Sequence, residues 1–203
     1  MLINGSRLKN FPVLSLHMGG PVAWTDKEVI DPETLKIVAF LLRGPLVGRE
    51  CGEILDMRDV REFEPTAGMI VDSADDFSSR GDVIKIDKIL KLNFNLVGLK
   101  VETKKGAKLG KISDYTLNAD DFTVQQLIVQ RPALKGFLDP ELIIGREQIV
   151  EVTDFKIIVK EEKSKSKTTA KTSKKDFVPN FVNPFREPDF APAQSRNPGE
   201  QDN

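Results

Sequence analysis

Leu109–Phe122 reads LGKISDYTLNADDF, and eighty-seven residues earlier Val22–Leu35 reads VAWTDKEVIDPETL. Scarcely a residue is shared, yet the apolar positions, the polar turn and the apolar residue closing it coincide. Laid out in full, residues 11–42 cover 98–129 without a gap. Gly19 meets Gly106, Ile30 meets Leu117, and Asp31-Pro-Glu-Thr-Leu35 meets Asn118-Ala-Asp-Asp-Phe122. Ile37, Phe40 and Leu42 meet Val124, Leu127 and Val129. The likeness continues with a small drift: residues 43–55 lie over 131–143, Arg58-Asp59 over Arg146-Glu147, Val60–Phe63 over Ile149–Val152 and Met69–Val71 over Ile157–Val159. One unit is therefore written twice.

The units read as strands. Leu99 and Val101 alternate with polar neighbours, and Lys104-Lys-Gly106 supplies a turn in which glycine tolerates positive φ. Leu109–Leu117 is rich in β-branched and aromatic residues, and Asn118-Ala-Asp-Asp121 is turn chemistry, because Asn and Asp side chains bond back to their own backbone. Phe122–Gln130 reads as the next strand. Pro132 and Pro140 bracket a loop, followed by three short strands over Leu142–Ile144, Ile149–Val152 and Ile157–Lys160. Regularly spaced short strands separated by turns predict an all-β sandwich or barrel. Six strands in an open sheet leave two aggregation-prone edges, which closure into a barrel removes. A barrel this small is filled by its own side chains and has no room for a large internal ligand.

The order Gly, Leu-Gly-Lys-Ile, Asn-x-x-x-Phe and Leu-x-Val, then a loop, an apolar triplet and Ile149-Val-Glu-Val152, resembles the PRC-barrel family. Residues 96–160 carry the resemblance clearly. Residues 8–72 carry a degraded version, with Pro21 at a turn position and Ala23 where the second copy has Gly110. The resemblance implies a small β-barrel used for docking, with no catalytic residues to carry over. The family includes a domain of the photosynthetic reaction-centre H subunit, half of a ribosome maturation factor, and stand-alone proteins, some linked to archaeal cell division. The expected domains are a PRC-barrel-like domain over 1–80, a linker over 81–95, a PRC-barrel domain over 96–162, and a tail over 163–203.

Composition narrows the chemistry. Residues 1–155 hold 20 Lys/Arg against 24 Asp/Glu, residues 156–175 hold 8 against 2, and residues 176–203 hold 2 against 5. The body is mildly acidic, a poor start for phosphate binding. The only cysteine, Cys51, admits no intramolecular disulfide, which fits a reducing cytoplasm. No signal-peptide pattern opens the chain, and the longest apolar run, Ile37–Leu42, falls far short of the roughly 20 residues of a membrane-spanning helix. His17, the only histidine, makes neither a transition-metal site nor a nucleophile–base pair with Cys51. Asp75-Asp76 and Asp120-Asp121 read as loop and turn acids, and no phosphate-cradling glycine motif is present. No cofactor and no catalytic group is expected.

Two segments lie outside the repeat. Residues 83–94 carry apolar side chains at 84, 86, 89, 90, 92 and 94, a mixture of helical and strand spacing that leaves both open while offering enough apolar surface to pack between the barrels. After Glu161, Lys163, Lys165, Lys167, Lys171, Lys174 and Lys175 lie in a stretch with no apolar residue larger than alanine, expected to be disordered and capable of weak contact with RNA or an anionic membrane. Then Phe177, Phe181, Phe185 and Phe190, a third of the phenylalanines, recur among Pro179, Pro184, Pro188 and Pro192. Pro184 breaks a helix there, so an extended linear motif is expected, binding a partner groove or folding back onto the barrels. The leading expectation is a non-enzymatic cytoplasmic adaptor. A ribosome- or RNA-associated assembly factor and a membrane-proximal or division scaffold are the alternatives. The sequence names neither partner nor oligomeric state.

Overall fold

Each turn of the repeated unit is locked by the chemistry its sequence announces. In a computed structural model, whose described residues are 1–132 and 140–160, Leu35 N–H donates to Asp31 O at 2.7 Å and Phe122 N–H donates to Asn118 O at 2.8 Å. The Asp31 carboxylate takes the Glu33 amide at 3.0 Å, and Asn118 Oδ1 takes the Asp120 amide at 3.3 Å. Leu35 (φ 50°) and Phe122 (φ 57°) both close the turn in the left-handed region. These are equivalent positions with the same strained conformation.

The chain is all-β, with one short helix between its halves. In order it forms β1 (Leu2–Asn4), β2 (Pro12–Ser15), β3 (Gly20–Asp31), β4 (Lys36–Arg43), β5 (Ile54–Asp56), β6 (Glu62–Glu64), β7 (Gly68–Val71), α1 (Ile84–Leu92), β8 (Lys100–Thr103), β9 (Lys108–Asn118), β10 (Val124–Gln130), β11 (Glu141–Gly145), β12 (Ile149–Val152) and β13 (Lys156–Val159). The first repeat makes a sheet in the order β5-β4-β3-β2-β7-β6. The second makes β11-β10-β9-β8-β13-β12, the same order strand for strand. In both, the contact joining the unit's beginning to its end is parallel: β2 with β7 and β8 with β13. One of the two sheets curls into a half-barrel. Among the described residues no ladder joins the end strands of either sheet.

The segment over 83–94, open in the sequence, is α1, ending at Asn93 in the left-handed conformation. Ile86, Ile89 and Leu90 fall at i, i+3 and i+4 and pack with Val29, Ala39 and Ile54 on the outer face of β3, β4 and β5. Ile84 and Leu92 stay exposed, so the mixed spacing came from two apolar residues the helix does not bury. The other repeat receives a leader too: β1 pairs with the far half of β9, as Ile3↔Leu117, and Ser6 donates to Asp114 at 2.6 Å. The leader of each repeat thus packs on the long strand of the other.

The turns are exchanged as well. Ile37 N–H donates to Phe122 O at 3.0 Å, and Val124 N–H donates to Leu35 O at 2.9 Å. These are the same bond seen from either side of an internal two-fold, with Lys36 bridging Thr123 across it. Phe122 stacks edge-to-face on Phe63, centroids 5.0 Å apart, and Arg146 reaches from the second repeat to the Thr34 carbonyl at 2.7 Å. One hydrophobic core, including Val13, Phe40 and Met69 from one repeat and Val101, Leu127 and Ile157 from the other, runs through both. The described residues belong to a single compact unit.

Candidate functional site

The reactive side chains singled out in the sequence do not converge. His17 is exposed in the turn after β2, its amide bonded to the Asp72 carbonyl. Cys51 lies in the loop before β5, where burial first, then Glu50 and Asp75, push its thiol above the ordinary range, the reverse of activation. Asp75 and Asp76 are consumed in a cap: Ser73 Oγ accepts the Asp75 amide at 3.2 Å while Asp76 accepts the Ser73 amide at 2.9 Å. The Asp121 carboxyl is held below its usual range by the Thr123 amide, a turn bond. Among the described residues no group of three or more His, Cys, Asp or Glu is arranged to hold a metal ion. No helix there is long and apolar enough to cross a membrane.

Two acidic arrangements belong to folding. Asp56, 5% exposed, would be raised by burial alone, but the Arg58 side chain and amide outweigh that and hold its carboxyl low. The Tyr115 ring lies against Gly5, where an added Cβ would come within 2.3 Å of it. Its hydroxyl is buried beside Glu28, the residue at the same place in the first repeat, without a hydrogen bond of good geometry. Burial, followed by the Glu28 and Asp114 carboxylates, pushes that phenol far above its ordinary value.

What distinguishes the two repeats is their outer faces. On β2, Val13 and Ser15 point inward while Pro12 and Leu14 point out. Pro12 stands opposite Trp24, and Leu14 opposite Pro21 on one side and Ile70 on the other. Leu16 and Met18 follow, 56% and 59% exposed. The first repeat therefore presents an apolar face across β3, β2 and β7. In the second repeat the same registers hold Lys100 opposite Lys111, Glu102 opposite Lys108, and Lys156 opposite Lys100. One fold carries an apolar face on one copy and a charged face on the other.

The other residues singled out in the sequence, Lys163, Lys165, Lys167, Lys171, Lys174, Lys175, Phe177, Phe181, Phe185 and Phe190, lie outside the described residues. The two faces escaped sequence reasoning because parallel pairing brings Lys156 beside Lys100 from 56 positions away. A usable signal was present in the repeat alignment itself, where Pro and Trp stand over Lys. Compared with protein-family models and with curated proteins, the chain matches none.

Proposed function

We propose that this chain is a non-catalytic, cytoplasmic docking module built from two PRC-barrel-like repeats, whose principal contact is the apolar outer face of the first. The observation that carries this reading is the difference between equivalent faces. The second repeat makes the same three-stranded registers with Lys100, Glu102, Lys108 and Lys111, so the fold does not require Pro12, Leu14, Pro21 and Trp24 to be apolar. Exposed contiguous apolar surface on a folded unit marks a contact with something else. The exchanged turns and leaders support the same reading, because a face on a rigid unit loses little entropy on binding. The aromatic motif from Phe177 to Phe190 serves as a second, tethered contact that raises effective concentration.

The test is affinity purification with the intact chain, the double variant L14E/L16E, and a chain lacking 176–203. A protein recovered with the intact chain is then purified and its affinity measured directly. The expected result is a loss of tenfold or more with L14E/L16E and a smaller loss without the tail. An affinity unchanged by L14E/L16E, in a variant with the parent urea midpoint, overturns the reading.

A further inference from the structure

Across β13, β8 and β9 three lysines stand on one line: Lys156 is paired with Lys100, and Lys100 with Lys111. Like charges directly opposite each other on adjacent strands are unfavourable. Lys108 and Arg131 border the same groove of about 380 Å³, which runs over Val101 and Gly110. Among the described residues these five cations lie around Glu102, which receives a 3.0 Å bond from Lys156 Nζ, with Glu151 a second acid in the same cross-strand row. The Glu102 carboxyl is held low first by that bond and further by the charges of Lys108 and Lys100. Beyond Lys156 stands Phe155, 81% exposed, the most exposed large apolar side chain among the described residues.

Folding does not account for this face, because the other repeat serves as an internal control. By strand register, which shifts β2 by one residue from the gapless sequence match, the positions of Lys100, Lys108, Lys111 and Lys156 hold Pro12, Pro21, Trp24 and Gly68 in the first repeat, which builds the same sheet. Nor does general solubility account for it, since residues 1–155 carry an excess of acid. The lysines are paired with one another on adjacent strands, and the exposed Phe155 ring precedes Lys156 in the turn into β13.

We infer that the β13-β8-β9 face of the second repeat is a binding site for single-stranded nucleic acid, with Lys100, Lys108, Lys111, Arg131 and Lys156 on its phosphates and Phe155 stacked on a base. Each component has its physical reason. Lysines neutralise phosphates without reading sequence and release condensed counterions, while an exposed ring offers a platform that any base can use. Strands about 4.8 Å apart space the lysines along a shallow groove in which a single strand can lie. An anionic bilayer would meet the same charges but would find only Phe155 to enter its headgroup layer, and charge without an apolar anchor holds a membrane weakly. This site is independent of the docking face of the first repeat.

The test is fluorescence anisotropy of a labelled 20-nucleotide oligouridylate against the full chain, from 50 to 200 mM salt. K100Q/K111Q should lower affinity on the order of tenfold at low salt and flatten the salt slope by about 1.4, since each single-strand phosphate contact contributes roughly 0.7. Phe155→Ala should lower affinity about fivefold or more and leave the slope unchanged. K85Q/K88Q, the same charge removed from α1, should change neither. Urea midpoints equal to the parent's verify folding, and K108Q/K156Q repeats the measurement independently. Absence of oligonucleotide binding overturns the inference. So does binding that K100Q/K111Q leaves intact, or K100Q/K111Q-sensitive binding to phosphatidylglycerol vesicles without oligonucleotide binding.

Discussion

Replacing Phe122 with alanine should destabilise the repeat to which Phe122 does not belong. Phe122 is 6% exposed, packs edge-to-face on Phe63 of the first repeat, and accepts the Ile37 amide on its carbonyl. Truncating a buried phenylalanine costs about 3–5 kcal/mol through lost transfer and the cavity left behind. The left-handed φ of 57° strains alanine as it does phenylalanine, so no relief offsets the loss. With a urea slope of about 2 kcal/mol per molar, a 4 kcal/mol loss moves the midpoint down by roughly 2 M. The assay has a built-in reporter, because Trp24, the single tryptophan, lies in β3 of the first repeat. Its fluorescence and the far-UV circular dichroism should shift together by the same 2 M. A Trp24 transition that stays in place while the circular dichroism splits into two steps would refute the exchange of turns.

Ile86→Ala should cost about 2–4 kcal/mol in the same melt, because Ile86 is 3% exposed and joins α1 to β3, β4 and β5. Asp56→Asn should cost about 1–3 kcal/mol at pH 7, where the carboxylate accepts the Arg58 amide at 2.9 Å and its guanidinium at 2.6 Å. The folded carboxyl is held below its unfolded value, so its contribution is present above about pH 4 and lost as pH falls through the folded value. The gap between parent and variant should therefore be constant from pH 7 to 5 and close in stronger acid. Tyr115→Phe should change stability by less than about 1 kcal/mol, since the buried hydroxyl it removes makes no hydrogen bond of good geometry with the neighbouring Glu28. Gly110→Ala should cost more than about 1 kcal/mol, because φ is 156° and the new Cβ would meet the Gln130 carbonyl at 2.1 Å.

The repeat was legible because burial imposes it twice: Ile37 and Val124, or Phe40 and Leu127, occupy the same inward sites on the same strands. Turn chemistry was legible at Asp31 and Asn118 because their side chains act on neighbours in sequence. What escaped depends on contacts that sequence does not order. Leu2–Asn4 is too short and unpatterned to announce a strand, and it forms one only because β9 offers an edge. Residues 84–92 did not resolve because exposed Ile84 and Leu92 overlay the helical stripe. The mildly acidic total concealed the lysines at 100, 108, 111 and 156, since net charge averages over a surface that the fold sorts into faces. The same averaging hid the apolar face, whose Pro12 and Trp24 are unremarkable until paired.

That two repeats hold one another as a single rigid body is tested most directly by native-state hydrogen exchange at the Ile37 and Val124 amides, which donate across the internal two-fold. Both should exchange only through global unfolding, with one shared free energy and the full denaturant dependence of the core. Rapid exchange at these amides, or protection that differs between them and ignores denaturant, would show that the repeats open separately.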